Sequence, residues 1–294
     1  MAYHPSKRHP IRRLARFPIG FLLPAVLVLA AIVLFPTLYL LWLSVRHWIV
    51  FQPQQYFTGL GNFIALFRSS AFWESLRVTG SYLLLTSLLS FAFGLGLAIS
   101  LSKAIFARGV VRALIILPLL VPPVVAGFAW KFLLNREIGL VGGYLFPALG
   151  ITVSLLAHPT LALVSIVIAD IWSKTSFMFL ILLAALQSIP VELYEAARID
   201  GAGARQEFLY ITLPLLVPAI IIGLIFRAID AINTFDLIFV MTQGGPGTAT
   251  QTLSIFGWKT AFTYFDLGRG AAIAVVMMVL AVITTLFLTK RLQR

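Results

Sequence analysis

Six long apolar stretches decide what this 294-residue chain can become. A helix rises 1.5 Å per residue, so roughly 20 apolar residues are needed to cross the hydrocarbon of a bilayer. Runs near 18–44, 76–101, 111–134, 160–188, 213–241 and 268–289 meet that length. With 60% hydrophobic and only 11% charged residues, the chain carries more apolar surface than a water-soluble core could bury. An all-α, polytopic membrane protein with six transmembrane helices follows. A basic segment, 1–17, precedes the membrane domain at 18–289, and a short tail, 290–294, closes it. Lys7, Arg8, Arg12, Arg13 and Arg16 ahead of the first run imitate a signal peptide. That run continues to about Ser44 without an obvious small-residue cleavage site, so a retained first helix is expected.

Composition also removes whole classes of function. The chain has no cysteine, which excludes disulfides, thiol nucleophiles and thiolate metal sites. Its net charge of +12 is dispersed through short connecting loops rather than gathered in a patch, so it reads as membrane orientation and not as a nucleic-acid surface. Lys103, Arg108, Arg112, Arg198, Arg205, Lys290, Arg291 and Arg294 fall on the same side as the five basic residues of the amino terminus. Arg46, Arg68, Arg136, Lys259 and Arg269 fall on the other, and Arg77 lies at a boundary. Both termini and the 189–212 loop are therefore expected to face the cytoplasm.

Prolines and glycines mark where the helices depart from plain rods. Pro118, Pro122 and Pro123 interrupt the third run, and each removes an amide donor and crowds the preceding turn. Such a break persists in lipid only where protein or a wet cavity satisfies the freed carbonyls, so the third span is expected to line a cavity. Gly94 and Gly96 in the second span suit close helix contact.

The 189–212 loop reads as a pair of short helices. Pro190 suits a first helical turn, Glu192 and Glu195 sit where a helix start favours acids, and Asp200-Gly201 with Gly203 supplies a sharp turn. Leu193, Ala196 and Ala197 share one face, small enough for a partner to approach closely. Glu195-Ala196-Ala197, then Gly201, then Ile211-Thr212-Leu213-Pro214 resembles the signature loop of binding-protein-dependent ABC importer permeases. Ser188-Ile189-Pro190, Asp200-Gly201-Ala202, Phe235-Asp236 and Thr242-Gln243-Gly244-Gly245-Pro246 are similar to the carbohydrate-uptake branch, of the maltose and glycerol-3-phosphate type. The Gly-Gly-Pro element resembles the maltose-subunit-F-like member of each permease pair. The family usually has a third glycine where this chain has Gln243.

The resemblance implies a type I ABC importer permease fold in a bacterial or archaeal cytoplasmic membrane. It implies a second homologous permease, two ATPase subunits and an extracytoplasmic solute-binding protein as partners. Glu195, Ala196, Ala197, Asp200, Gly201, Ile211 and Pro214 would then form the surface that couples to the ATPase. The chain would hold no cofactor of its own, ATP and Mg being bound by the ATPase subunits. That agrees with the lack of a G-x-x-x-x-G-K-[ST] phosphate loop in the sequence.

Ionisable residues inside spans are costly and usually face a cavity or one another. Asp170, Lys174 and Phe177 share a face of the fourth helix, and Arg227, Asp230 and Thr234 share a face of the fifth. Carboxylates, cations and an aromatic ring are the makings of a polyol site. Alignment with the resembling sugar importers places family cavity positions at Asp170, Lys174, Phe177, Arg227, Asp230, Ala231 and Thr234. The alternative is that Asp170 with Lys174, and Arg227 with Asp230, are self-neutralising pairs that only hold helices together. Lys131 is expected to snorkel outwards, Trp130 and Trp172 to pack, and His47 and His158 to lack metal-ligand spacing. A neutral di- or oligosaccharide or polyol is the expected cargo, with glycerol 3-phosphate or its diesters as the alternative. An ion-coupled carrier using Asp170 and Asp230 is a further alternative, but the expected inverted repeat is missing. No nucleophile and base pairing supports an intramembrane enzyme.

Overall fold

A computed structural model describes residues 19–102, 107–150 and 153–292. The basic 1–17 segment, Lys103 and Arg294 lie outside the described residues. In chain order, α1 (Ile19–Ser44) leads through a small antiparallel pair, β1 (Arg46–His47) and β2 (Tyr56–Phe57), to α2 (Gly61–Arg68) and the long α3 (Ser70–Ser102). Next come α4 (Arg108–Ile116), a 3₁₀ turn over Leu117–Leu120, and α5 (Pro123–Leu133). A π turn over Leu140–Leu145 runs into the single-turn α6 (Phe146–Ala148), after which α7 (Pro159–Ser188), α8 (Val191–Ile199) and α9 (Ala204–Glu207) follow. A second π turn, Phe208–Thr212, joins α9 to α10 (Leu213–Asn233), and α11 (Asp236–Thr242), α12 (Leu253–Trp258) and α13 (Leu267–Leu292) complete the described chain.

Among these, five helices are long and apolar enough to cross a membrane, and α4 with α5 makes a sixth candidate bent by 98°. The bend falls at the prolines: Pro118 sits in the 3₁₀ turn and Pro123 opens α5. The hydroxyls of two serines on α7 attend to this break. Ser173 Oγ donates at 3.5 Å to the Pro118 carbonyl, and Ser176 Oγ donates to the Ile115 carbonyl. Protein therefore satisfies backbone that the prolines leave open, as lipid requires.

α3 and α7 form the spine of the bundle. The buried face of α3 runs through Ser75, Thr79, Tyr82, Thr86, Ser90, Gly94 and Ala98, at three- and four-residue steps. Met178 of α7 is wedged between two glycines at the far end of that face. A Cβ placed on Gly94 of α3 would lie 2.8 Å from Met178 Cγ, and one on Gly223 of α10 would lie 2.7 Å from its Sδ. The expected close approach at Gly94 is thus present. At Gly96 it is not, since a Cβ there would meet nothing within 4 Å. The outer faces carry the opposite character: Leu29, Ile32 and Phe35 of α1 and Val282, Ile283 and Phe287 of α13 are exposed, surface that suits hydrocarbon.

Two expectations need correction. The fifth run does not continue as one helix to 241, because α10 ends at Asn233 and the chain restarts at α11. Thr234 has left the helical region (ψ 116°) while its Oγ1 donates to the Asp230 carbonyl at 2.8 Å, and Ser254 Oγ donates to the Thr234 carbonyl at 2.7 Å. Hydroxyls take the place of the next helical turn. Nor is α9 a separate second helix of the 189–212 loop, since Ala204–Asn233 is continuous.

Candidate functional site

Four charged side chains cross between α7 and α10. The Met178–Gly223 contact fixes these helices side by side, antiparallel, so that each cation reaches the acid of the opposite helix. Arg227 pairs with Asp170, both 1% exposed, and also donates from Nη1 to Asp230 Oδ2 at 2.8 Å. Lys174 Nζ reaches Asp230 Oδ1 at 3.1 Å. Tyr82 of α3 donates from its hydroxyl to Asp170 Oδ1 at 2.8 Å. The alternative pairing of Asp170 with Lys174 along one helix is not the one formed, and the charges pair crosswise between helices instead. Arg227 keeps Asp230 as well.

Two cavities flank the crossing. One, of about 160 Å³, opens beyond it towards the break in α10, lined by Asp170, Ser173, Lys174, Asp230, Asn233, Thr234, Phe235 and Asp236, with Pro123 and Ala126 of α5. The other, of about 200 Å³, lies one turn towards the α8 end and is lined by Leu119, Lys174, Phe177, Phe226, Arg227 and Asp230. Phe177 and Phe226 meet there edge to face, with centroids 5.9 Å apart. Of the seven candidate positions, six line one cavity or the other, and Ala231 is buried in the apolar core instead. Tyr82 and Asn233 escaped sequence reasoning, and Asp236 is marked there only through the Phe235-Asp236 resemblance, not as a cavity position. The polar stripe on α3 was the signal for Tyr82, whereas Asn233 and Asp236 become cavity walls only through the break at Thr234.

At the α8 end, the candidate coupling loop folds into a tight hairpin. Gly201 has φ +81°, which lets the Gly201 and Ala202 amides turn back to the carbonyls of Arg198 and Ala197 at 3.1 and 2.9 Å. Arg198 Nε bonds Glu207 Oε1 at 2.7 Å, and Tyr194 and Thr212 share a hydroxyl bond of 2.9 Å. The hydrogen bond and charge of Glu207 push the Arg198 guanidinium above its already high value. Ala197, Asp200, Gly201 and Ile211 line a groove of about 270 Å³ with Gln206, Glu207 and Tyr210. Glu195 and Ala196 lie exposed on α8 and Pro214 on α10, outside that groove.

Other singled-out residues have structural partners. Lys131 Nζ donates at 3.0 Å to the Val240 carbonyl and ties α5 to α11. Trp130 and Trp172 meet edge to face at 6.2 Å, and His47 stacks on Tyr56 at 4.8 Å. Gln243 ends α11 at φ 54°, backbone that glycine adopts most readily. Among the described residues no cluster of three or more His, Asp or Glu could hold a metal.

The chain is 39% identical over 278 residues to the trehalose/maltose transport system permease protein MalF of Thermococcus litoralis, covering 92% of each chain. It is 34% identical over 270 residues to the sn-glycerol-3-phosphate transport system permease protein UgpA of Agrobacterium fabrum, covering 91% of this chain and 92% of that protein. Its fold matches a bacterial alginate ABC transporter solved in complex with an alginate pentasaccharide-bound periplasmic protein, with TM-score 0.79 and 23% identity over 92% of this chain and 91% of that one. The expected type I importer permease architecture is therefore present. The family of binding-protein-dependent transport system inner membrane components matches residues 90–294, and with relatives aligned along nearly its whole length, the chain belongs to that family.

Proposed function

We infer that this chain is the membrane-spanning subunit of an ATP-driven importer that passes a sugar, a di- or oligosaccharide or polyol, delivered by an extracytoplasmic binding protein. The half-exposed Lys174–Asp230 pair between the two cavities carries this reading. Asp230 is 40% and Lys174 26% exposed, so both present hydrogen-bonding atoms to a ligand, while Asn233, Thr234, Phe177 and Phe226 supply amide, hydroxyl and ring surfaces. Three acids, Asp170, Asp230 and Asp236, stand against two cations around the cavities. That excess favours a neutral sugar over a phosphate ester. The resemblance to MalF points the same way, and the resemblance to UgpA keeps glycerol 3-phosphate as the second reading.

Energy comes from partners. The exposed α8 with its Glu195-Ala196-Ala197 segment is the docking element for an ATPase subunit, and the α8 end is cytoplasmic, in line with Arg198 and Arg205 lying there. A second permease completes the cavities, and a pair of ATPase subunits binds ATP and Mg. In this scheme the α8–α9 hairpin transmits closure of the ATPases into rotation of α10, with which it is continuous. The test is uptake into vesicles containing the assembled transporter and its binding protein. ATP-dependent accumulation of labelled trehalose or maltose, with little glycerol 3-phosphate, is the expected result. Accumulation by this chain alone under an ion gradient would overturn the reading.

A further inference from the structure

The Lys174–Asp230 pair belongs to the lining of both cavities. Asn233, the last residue of α10, and Thr234, just past its end, line one cavity only. Phe226, two turns nearer the α8 end, faces the other, and α7 agrees, with Ser173 on the first side and Phe177 on the second. The cavities are thus stacked along the helix axes, and at the level between them the Lys174–Asp230 pair, which lines both, stands beside the buried pairing of Arg227 with Asp170. We propose that the Lys174–Asp230 ion pair is a gate between these two cavities and that Lys174 is its moving half. The proposal rests on the permease reading above.

The asymmetry follows from what each partner would lose. If Lys174 turns away, Asp230 Oδ2 still accepts from Arg227 at 2.8 Å, Arg227 is still held by Asp170, and Asp170 still accepts from Tyr82 at 2.8 Å. No buried charge is left without a partner, so the usual penalty for breaking a buried network is avoided. The Asp230 backbone is held as well, its carbonyl accepting from Thr234 Oγ1. Among the described residues Lys174 makes one ion pair, the one with Asp230, and no second hydrogen bond. Its flexible four-carbon stem lets the ammonium move into cavity water. Opening therefore frees one acceptor, Asp230 Oδ1, at the point where the two cavities join. A ligand hydroxyl donates to that oxygen and takes the place of the ammonium, whereas an anionic group is repelled by it. The gate would then open for the same neutral polyhydroxylated ligands that the cavities suit.

Because the chain contains no cysteine, single-cysteine variants report cleanly on each side of the gate. N233C marks the first cavity and F226C the second. In sealed membrane vesicles holding the assembled transporter without ATP, a charged, impermeant thiol reagent is added on the face bearing α8, and labelling is read on this chain. F226C should label readily. N233C should label about tenfold more slowly, as expected if the pair is closed about nine-tenths of the time. K174A in the N233C background should bring its rate close to that of F226C, while K174R, which keeps the cation, should leave it slow. Equal labelling of N233C and F226C with Lys174 in place overturns the gate, as does an N233C rate that K174A leaves unchanged. Labelling of F226C only from the opposite face overturns the topology of the permease reading instead, and the gate is then judged from the same ratio on that face.

Discussion

Asp170 of α7 and Arg227 of α10 form an ion pair in which both side chains are almost wholly removed from solvent. The guanidinium holds two acids, since its other arm reaches Asp230. Removing one partner of such a pair is far more harmful than replacing both, because the remaining charge stays buried without compensation. Arg227→Ala should cost about 3–5 kcal/mol, and the joint replacement Asp170→Asn with Arg227→Met should recover much of it. Thermal aggregation of the detergent-solubilised transporter measures this. If the single and joint variants melt together, the pair is not the fastening described.

Met178 makes a second fastening, through shape rather than charge. A methyl on Gly94 would collide with Met178 Cγ and Cβ at 2.8 and 2.9 Å and press on the Phe179 amide at 3.1 Å. Overpacking of this kind costs about 1–3 kcal/mol. Gly94→Ala should therefore destabilise, with Met178→Ala partly rescuing it by making room. Gly223→Ala should be milder, because it meets the mobile end of the methionine at Sδ. Gly96→Ala meets nothing and should be neutral or slightly stabilising, by up to about 1 kcal/mol from helix propensity. A ranking that places Gly96→Ala beside Gly94→Ala would contradict this packing.

These two fastenings show what the sequence can and cannot reveal. Span lengths and the Pro118, Pro122 and Pro123 break are local properties of the chain, and they are visible in it. The partner of Asp170 is not. Spacing along α7 offers Lys174 as readily as any residue of α10, and the choice depends on helix register, which Met178 sets against Gly223. The end of α10 carries no local mark either. Pro218 lies within α10 without ending it, while Asn233-Thr234-Phe235, with neither proline nor glycine, ends it through hydroxyl bonds to distant backbone. The Glu-Ala-Ala to Ile-x-Leu-Pro pattern is legible through its resemblance to the signature loop of the family, and its glycine, Gly201, stands at the left-handed turn of the hairpin.

That glycine separates two causes of failure in the proposed coupling loop. A Cβ on Gly201 meets no atom within 4 Å, so substitution there strains the backbone at φ +81° without crowding this chain. Asparagine and aspartate tolerate that region better than alanine, which pays about 1–2 kcal/mol. Gly201→Asn should keep the hairpin and most uptake. Gly201→Asp, which adds a charge, and Glu195→Lys, which reverses one on exposed α8, should abolish uptake while membrane insertion stays normal. Each variant is compared at equal expression by ATP-dependent uptake. Normal uptake by Gly201→Asp or Glu195→Lys would remove the loop from the coupling path.

The hydroxyls that repair the helix breaks give the last prediction. Ser254 Oγ supplies the Thr234 carbonyl where α10 stops, and Ser176 Oγ supplies the Ile115 carbonyl where the α4–α5 span bends. Both bonds are part-buried and lie where the helix ladder is interrupted, and leaving such an acceptor unmade costs about 1 kcal/mol, the low end of the range for a buried one. Ser254→Ala and Ser176→Ala should each destabilise by about that amount, whereas Ser100→Ala, whose hydroxyl only returns to its own helix at the Gly96 carbonyl, should change little. Function should separate the two serines further. Thr234 lines the cavity and Ser254 fixes its backbone, so Ser254→Ala should weaken sugar-stimulated ATP hydrolysis by the assembled transporter as well as stability. Ser176 touches neither cavity beside the crossing, so Ser176→Ala should lower the melting point and leave that stimulation intact. Equal loss of stimulation in both variants would mean that stability alone sets the response.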